Sequence, residues 1–520
     1  MSAVLPVFSA QEIRELDRKS EALGVSSLLL MESTGRGAAE EIRKWLLDLR
    51  GRRFLGVCGK GGNGGDALCC LRYLGLWGAE VKALVLGEPT GPAATQLQAF
   101  SASFPGNVEL IRSEHDLSKL EEWLSWAEIV VDGILGVGVE GPAQGLPRRA
   151  IEILARFSGP IVAMDLPSGL SADSGKIPGP AVRAHLTLAM GGLKPCHLLP
   201  PAAELCGEVR LVEVAYPPKL FQEVSPSAFV LSEDYCASLL PPRPRFGHKG
   251  TFGRVLVVAG AVGMAGAAAL CAEAVYRAGA GLVHVLTPEP VFPIVASLVP
   301  EALVHPGRAS PDGTFAPEAA EEALRLGQGM DVIVVGPGLG RTPGPAEVVR
   351  ALLTENAAKL VLDADALFAL SQDKKLLRKK HGELVLTPHP GEFSRLVDVP
   401  AEEIVADKIE WARKSARDWR AVVVLKGPPT AIGLPDGRVF LNTTGNTALA
   451  HGGSGDVLAG MIGGLWAGGT SAAEASCLAV FVHGRAAEIL TLDHAARSVL
   501  PREVLGALPT VFIHLERFKM

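Results

Sequence analysis

The chain has 520 residues, enough for about three to five domains of average size or for two large ones, so a single small module is excluded. Hydrophobic residues make up 48% of the chain and the formal net charge is only −6, which excludes a disordered chain and a polybasic nucleic-acid-binding surface. Ligands must therefore be recognised by local sites.

The eight cysteines are scattered along the chain and lack the CxxC spacing that is typical of zinc sites. We therefore expect reduced thiols and a cytoplasmic protein. The first residues, MSAVLPVFSAQEIRE, contain neither a basic segment nor an apolar core, so they predict no signal peptide.

Short apolar runs alternate with helical patterns in the first part of the chain. This alternation is typical of βαβ units and predicts a mainly parallel sheet. The predicted strands of this part are 54–58, 81–86, 108–111, 128–132, 160–165 and 210–214.

A proline-rich stretch from Tyr216 to Gly250 interrupts this pattern, and we place a domain boundary there, giving domains of residues 1–220 and 221–520. Alternation then resumes and predicts a second α/β domain. Its predicted strands are 254–260, 281–286, 331–336, 359–365, 383–388 and 421–427.

One uncharged run, residues 255–272, is long enough to suggest a membrane-spanning helix. Gly260, Gly263 and Gly266 divide it into a β-branched part and an Ala-rich part. This composition favours a buried strand, a glycine turn and a helix instead.

A glycine-rich segment, 59–66, follows the first predicted strand and precedes a helical pattern. It could bind an anionic group with backbone amides or be a tight βα turn. Two further strands end at Asp132 and Asp165, each of which could alone be a helix cap or a turn residue. Because the carboxyl ends of parallel strands meet at one edge of a sheet, the three segments together predict a ligand site.

The second half contains the sequence GGSGDVL at 452–458, which places an acid in the first turn of an apolar helix. Backbone amides there can hold a transferring phosphoryl group, and Asp456 can accept a proton from the attacking hydroxyl. Lys426, at the end of a strand, could meet a nucleotide phosphate or be a solvated turn residue. His389 could contact a ligand or be a buried core histidine.

The sequences GKGGNGGD at 59–66, DGILGVG at 132–138 and DLPSG at 165–169 resemble the NAD(P)HX epimerases. The resemblance extends over about residues 10–215, and Gly62 and Ala67 depart from the family pattern. It implies a potassium site with the oxygen ligands Asn63, Asp132 and Ser168, a donor set that suits a hard cation. It also implies a binding site for the damaged nicotinamide, formed by Asn63, Gly64, Gly65, Asp66, Gly136, Val137, Gly138, Val139, Glu140, Gly141, Pro142 and Asp165. Because Asp165 ends a strand beside Ser168, we expect it to be the acid or base of epimerisation.

The sequences KGTFGRVLV at 249–257, GMAGA at 263–267, GPGLG at 336–340, TPHPGE at 387–392 and GGSGDVLAG at 452–460 resemble the ribokinase-like superfamily, and within it the NAD(P)HX dehydratases. The resemblance covers about residues 240–515, and His451 departs from the family pattern. It implies that Ala267, Gly338, His389 and Asp456 contact the hydrated dinucleotide. It also implies that the adenine nucleotide is held by Lys426, Gly427, Pro428, Pro429, Thr430 and Gly455.

Together the resemblances imply two doubly wound α/β domains, a Rossmann-like three-layer sandwich and a ribokinase-like domain, in a bifunctional nicotinamide nucleotide repair enzyme. The first domain would epimerise R- and S-NAD(P)HX with one K⁺, and the second would dehydrate the S form with ADP, or ATP, and Mg²⁺. With ADP as donor the products would be AMP and phosphate.

The expected partners are NADHX, NADPHX, ADP and further copies of the chain. We expect no binding to nucleic acid or to a membrane. The alternative is a small-molecule kinase of the vitamin or sugar type with a non-catalytic N-terminal binding or scaffold domain. Accumulation of a phosphorylated product without NADH would favour that kinase.

Overall fold

The computed structural model describes residues 4–138, 141–356 and 358–519. The chain divides into two units, one of Leu5–Ser227 with Val405–Asp407 and one of Ala228–Ile404 with residue 4 and residues 408–519. Each unit is an α/β fold with its own sheet and its own hydrophobic clusters.

The first unit contains eight strands and seven helices among the described residues. The strands are β1 (Leu5–Val7), β2 (Arg53–Cys58), β3 (Glu80–Leu86), β4 (Val108–Ile111), β5 (Ile129–Gly133), β6 (Ile161–Met164), β7 (Leu186–Met190) and β8 (Glu208–Val212). The helices are α1 (Ala10–Ala22), α2 (Ser27–Leu46), α3 (Gly62–Leu76), α4 (Gly91–Ser103), α5 (Ser118–Trp126), α6 (Gly145–Leu154) and α7 (Leu220–Glu223). Short 3₁₀ helices span Glu114–Leu117, Pro195–His197 and Ala202–Leu205.

The main sheet of this unit has the order β4-β3-β2-β5-β6-β7-β8, and its neighbouring strands are parallel. Residues of α2, α3 and α4 pack on one face, and residues of α5 and α6 pack on the other. With helices on both faces the central strands are buried, which explains their continuous apolar sequences. The chain reverses direction across the sheet between β2 and β5, and ligands bind at such a reversal in open α/β sheets.

The second unit follows the same principle with a larger sheet. Its strands are β9 (Ala228–Val230), β10 (Arg254–Val258), β11 (Leu282–Pro288), β12 (Leu303–Gly307), β13 (Val332–Val335), β14 (Lys359–Leu362), β15 (Leu384–Leu386), β16 (Val422–Leu425), β17 (Thr430–Gly433) and β18 (Val439–Asn442). The helices from α8 onward are α8 (Glu233–Leu239), α9 (Ala265–Arg277), α10 (Phe292–Leu298), α11 (Ala319–Gly327), α12 (Pro343–Glu355), α13 (Asp365–Gln372), α14 (Leu376–Lys379), α15 (Pro390–Val397), α16 (Ala401–Ala406), α17 (Lys408–Trp419), α18 (Ser454–Ala467), α19 (Ala472–Leu490) and α20 (Pro501–Lys519). Its 3₁₀ helices span Lys249–Phe252, Glu289–Val291, Thr447–Leu449 and Ala496–Ser498.

Seven strands of this sheet run parallel, in the order β16-β15-β14-β13-β10-β11-β12. Next to β16, the strands β17 and β18 extend the sheet as an antiparallel hairpin. Residues of α9, α18 and α19 cover one face, and residues of α11, α12 and α13 cover the other. The predicted pair of doubly wound α/β folds is therefore confirmed.

The uncharged run at 255–272 contains the end of β10, a turn and the start of α9, as its glycines predict. Gly260 and Gly263 in the turn have φ values of 87° and 85°, which favour glycine. Within the described ranges, no helix combines the length and the apolar character needed to cross a membrane. The eight cysteines are free and buried, which agrees with the expected reduced thiols.

Candidate active sites

The first site begins where β2 meets α3. The helix starts at Gly62, so Asn63 belongs to its first turn and Asp66 to the start of its second turn, and neither lies in a loop. A Cβ atom on Gly64 would lie 1.9 Å from the carbonyl oxygen of Gly59, so only glycine lets the helix turn approach the strand end this closely. The first backbone amides of a helix have no partner within it and are available to a ligand.

A cavity of about 890 Å³ lies at this edge of the sheet, within the usual size range of ligand pockets. Its wall contains residues from all three predicted segments, including Asn63, Asp66 and Asp165. Four of the other predicted substrate-binding residues also line the cavity: Gly64, Gly136, Val137 and Gly138. Three do not belong to its described wall: Gly65, Gly141 and Pro142. The last two, Val139 and Glu140, lie outside the described residues.

The three predicted potassium ligands gather around the peptide of Leu135. Asp132 is fully buried and accepts hydrogen bonds from the Ser168 amide (2.8 Å) and hydroxyl (2.6 Å). The Leu135 amide donates to the Ser168 hydroxyl at 2.9 Å, and the Asn63 side-chain amide donates to the Leu135 carbonyl oxygen at 2.9 Å. The folded chain thus brings together side chains from β5, from the turn after β6 and from the first turn of α3.

This donor set fits a hard cation. It offers carboxylate, hydroxyl, amide and carbonyl oxygens, which are the ligands that such ions prefer. Burial raises the pKa of Asp132 to about 6, and the bonds from Ser168 oppose this shift. In the part of the chain that the structure describes, Asp132 forms no ion pair, so a bound cation would supply the missing positive charge.

Asp165 is held in an unusual backbone conformation at the end of β6. Its φ is 65°, a region that costs energy for residues other than glycine. The Lys194 ammonium donates a hydrogen bond to Asp165 Oδ1, and the Met190 amide donates to the same oxygen at 3.1 Å. His197 Nε2 lies 2.8 Å from the Asp165 carbonyl oxygen. These contacts fix both the backbone and the carboxylate of Asp165.

Lys194 and His197 were not among the residues that the sequence pattern identified. Lys194 is fully buried and also donates to the carbonyl oxygens of Met190 (2.6 Å) and Gly192 (3.2 Å). Burial lowers the pKa of His197 to about 4, and the charge of Lys194 adds to this effect, so the imidazole is neutral at pH 7. Its Nδ1 accepts the Lys194 amide at 3.1 Å, so Nε2 carries the proton and donates to Asp165.

In the second unit, a partly buried ion pair joins two strand ends. Lys426 Nζ, after β16, donates to Asp363 Oδ1, after β14, at 2.8 Å, and the Thr387 hydroxyl donates to the same oxygen at 2.7 Å. Burial lowers the pKa of Lys426, but the charges of Asp363 and Glu392 together raise it above its usual value. Lys426, whose side chain is 18% exposed, is therefore a partly buried cation beside the edge where ligands of parallel sheets bind.

Asp456 lies next to this ion pair, in the first turn of α18. Burial raises its pKa to about 7, the charge of Asp363 adds to the shift, and Lys426 opposes it. A Cβ atom on Gly455 would lie 3.3 Å from Lys426 Nζ and 3.6 Å from Asp363 Oδ2, so the helix start approaches the pair closely. A group with a pKa near 7 is suited to accept and release a proton at neutral pH.

Two of the predicted dinucleotide contacts pack directly on each other. Gly338 has a φ of 58°, and a Cβ atom there would lie 2.9 Å from the Cβ of Ala267. Both residues follow strand ends, Ala267 in the first turn of α9 and Gly338 after β13. The GMAGA and GPGLG segments therefore meet at one place.

His389 is the N-cap of α15 and not a core histidine. Its Nδ1 accepts the amides of Gly391 (3.1 Å) and Glu392 (3.3 Å), while Glu392 accepts the His389 amide at 2.9 Å. The side chain is 52% exposed. With Nδ1 used as an acceptor, Nε2 carries the proton and can donate to a ligand.

The predicted nucleotide segment, 426–430, forms the turn between β16 and β17, with Thr430 opening β17. Lys408, which sequence reasoning missed, is 1% exposed and donates to the carbonyl oxygens of Lys426 (3.3 Å) and Pro429 (2.9 Å). Burial lowers the pKa of Lys408 to about 8. The ammonium therefore ties the two ends of the turn together.

Comparison with known proteins agrees with both halves of this description. A family model described as NAD(P)H-hydrate dehydratase matches residues 255–510, and one described as YjeF-related protein N-terminus matches residues 27–196. A bifunctional NAD(P)H-hydrate repair enzyme of Moorella thermoacetica is 39% identical, with 98% of this chain and 97% of that protein aligned. A protein of the same name from Escherichia coli is 31% identical over 97% of this chain and 93% of its own length.

A solved structure covers the second half. The ADP/ATP-dependent NAD(P)H-hydrate dehydratase of Bacillus subtilis, co-crystallised with ATP and Mg²⁺, has a TM-score of 0.50 and 37% identity, covering 55% of this chain and 98% of that chain. On the strength of the similarity along nearly its whole length, the chain belongs to the family of bifunctional NAD(P)H-hydrate repair enzymes.

Proposed function

We propose that the first unit interconverts the R and S epimers of NADHX and NADPHX, and that the second unit dehydrates the S epimer to NADH or NADPH. The observation that carries this proposal is a carboxylate–lysine ion pair at the edge where the parallel strands end in each unit, Asp165 with Lys194 in one and Asp363 with Lys426, next to Asp456, in the other. Membership of the repair-enzyme family supports the assignment of substrates.

In the second unit, Asp456 takes the proton of the C6 hydroxyl while that oxygen attacks the terminal phosphorus of the nucleotide. The bond from phosphorus to the nucleotide's bridging oxygen breaks, so ADP would leave as AMP. Mg²⁺, when bound with the nucleotide, neutralises phosphate charge. The positive charge of Lys426 and the amides at the start of α18 stabilise the charge on the transferred group. Phosphate then leaves C6 and a proton leaves C5, which restores the ring.

This function is tested by incubating the full chain with mixed NADHX epimers, Mg²⁺ and ADP or ATP, while following the absorbance of NADH. We expect complete conversion of both epimers. Conversion of the S epimer alone would show that the first unit does not interconvert the epimers. A phosphorylated product that accumulates without NADH would favour the kinase alternative.

Three finer points complete the proposal. ADP is the donor, because the fused arrangement of the two domains resembles the prokaryotic form of the family. The free, buried cysteines support a cytoplasmic protein. The chain is proposed to form a homo-oligomer, which light scattering of the purified protein would test.

Removal of Asp132 should abolish the potassium dependence of epimerisation. We propose that K⁺ binds at Asn63, Asp132 and Ser168, because Asn63 and Ser168 both hydrogen-bond to Leu135 and Ser168 also donates to Asp132. In Asp132→Ala the rate of R-to-S conversion should fall at least about tenfold, because the loss of a ligand should cost no less than the loss of an outer-shell partner. The rate is measured chromatographically with KCl and with a potassium-free buffer.

Ser168→Ala is the milder companion variant, since it keeps the buried carboxylate, and dehydration of S-NADHX should survive in both variants. Full epimerisation with an unchanged response to K⁺ in Asp132→Ala would disprove the site.

Substitution of Lys426 by Met should weaken nucleotide binding by about 10- to 100-fold, because a hydrogen bond to a charged group contributes about 1.5–3 kcal/mol. The same change leaves Asp363 without its cation, which adds repulsion against the phosphates. Calorimetric titration with ADP measures the effect. Lys414→Met, at an exposed position on α17, is the matched control and should bind ADP normally. Equal affinities of Lys426→Met and wild type would contradict the assignment.

A further inference from the structure

One of the three acidic residues that line the epimerase cavity comes from a helix that the family model does not cover. Asp17 lies on α1, whereas the matched region begins at residue 27. Ile13, Arg14 and Asp17 line the cavity, and their spacing places them on one face of the helix. The same wall contains Asp66 and Asp165.

The Asp17 carboxyl is held in place by Tyr216. The tyrosine hydroxyl donates to Asp17 Oδ1 at 2.7 Å, and the tyrosine is only 8% exposed. Both residues line the cavity, so the contact fixes one carboxyl oxygen at its wall. The other oxygen of Asp17 is then the one available for proton exchange with a bound ligand.

The cavity wall carries three carboxyl groups and two basic side chains. Asp17, Asp66 and Asp165 line it together with Arg14 and Lys60, and Lys194, outside the described wall, is paired directly with Asp165. Burial raises the pKa of Asp17, the bond from Tyr216 opposes the shift, and the charge of Asp165 adds to it. Burial raises the pKa of Asp66 well above its usual value, and repulsion from the charges of Asp165 and Asp17 adds to this shift. The cavity therefore combines a carboxylate fixed by Lys194 with carboxyl groups that retain a proton more readily.

Inversion at C6 by loss and return of water needs acid–base groups on both faces of the ring, because the water that leaves and the water that adds lie on opposite sides. One carboxyl group cannot serve both faces of a bound ring. Asp165 and Asp17 belong to different elements, the end of β6 and the helix α1, and both line the cavity.

We infer that Asp17 is a second catalytic residue of the epimerase and exchanges the proton of the C6 oxygen on one face of the ring, while Asp165 does so on the other. This inference rests on the proposed epimerase function. The Asp17 proton passes to the C6 hydroxyl, the C6–O bond breaks, and water leaves as the N1 electron pair forms an N1=C6 double bond. Water adds to the opposite face of C6, the double-bond pair returns to N1, and the proton of the added water passes to Asp165. A proton returns from Asp165 to Asp17 through solvent, and in the reverse direction the roles exchange.

The test compares Asp17→Asn, Asp17→Glu and the control Glu15→Gln in the full chain. Epimerisation of purified R-NADHX is measured without nucleotide, and dehydration of S-NADHX is measured separately. Asp17→Asn should lower kcat by about 10²- to 10⁴-fold, the usual contribution of a positioned acid or base, with KM within about threefold of the wild-type value. Asp17→Glu should recover part of the rate. Glu15→Gln, an exchange on α1 outside the described cavity wall, is the matched control and should epimerise normally.

Breakage of the C6–O bond is measured separately, by isotope labelling. In water enriched in ¹⁸O, each inversion by the wild-type protein should place one labelled oxygen at C6 above the uncatalysed background, and absence of the label would overturn the C6–O cleavage. Wild-type kcat in Asp17→Asn, or a loss confined to KM or to thermal stability, would overturn the catalytic role. Failure of the wild-type chain to interconvert the epimers would instead remove the proposed epimerase function itself.

Discussion

Replacing Asp456 with Asn should lower the dehydration of S-NADHX by at least about a hundredfold, because a positioned general base contributes about 10²- to 10⁴-fold. The amide keeps the shape of the carboxylate but cannot accept the proton of the attacking hydroxyl. Turnover of the S epimer with ADP and with ATP is the measurement. Asp493→Asn, at an exposed position, is the matched control.

Nucleotide binding should survive this substitution, because it is assigned to the 426–430 turn and to Gly455. Calorimetric affinities for ADP should therefore agree within about threefold between wild type and variant. A fully active Asp456→Asn protein would refute the role of base. A variant that no longer bound ADP would show that the carboxylate maintains the structure of the site instead.

The same residue predicts the pH dependence of dehydration. Burial and the charge of Asp363 raise the pKa of Asp456 to about 7, and a general base must be deprotonated to act. The rate should therefore rise as the pH increases through about 7 and level off above it. In Asp456→Asn this rise should be absent from the residual activity. A wild-type rate that falls over the same range would contradict the assignment.

Local sequence identified the acids at strand ends because each depends on a short pattern. Asp132 follows the apolar run IVV, and Asp456 follows a small-residue turn before an apolar helix. In a parallel sheet this pattern alone places the side chain at the ligand-binding edge. The structure changes the detail at Asn63, which lies in the first turn of α3 because that helix begins earlier than the glycines suggest.

The partners of these acids could not be found in this way. Lys194 lies beyond β7, whose sequence LTLAM contains a single β-branched residue and is a weak strand signal, so that strand and its following turn were missed. Lys426 and Asp363 are 63 positions apart in the sequence. They meet because β16 and β14, the strands that precede them, are separated in the sheet by β15 alone. Such pairs depend on strand order, which a single sequence does not specify.

Asp165→Asn should reduce epimerisation by about 10²- to 10⁴-fold while the dehydration of S-NADHX is retained. The carboxylate is one of the two proton-exchanging groups proposed for C6, and its backbone and Oδ1 are fixed by His197, Lys194 and Met190. Because the two activities are assigned to different units, S-NADHX dehydration by the same preparation reports whether the second unit is intact.

The substitution also removes the only carboxylate paired with Lys194 among the described residues, and breaking a buried ion pair costs about 3–5 kcal/mol. A loss of activity could then reflect unfolding of the first unit, so the double variant Asp165→Asn with Lys194→Met is needed. It removes both charges and should recover most of the lost unfolding free energy, measured by denaturant titration, because the uncompensated ammonium is gone. Epimerisation should remain low in the double variant, since no carboxylate has been restored. If activity instead returned together with stability, Asp165 would have a structural role, and proton exchange at C6 would have to be assigned to Asp17 and Asp66.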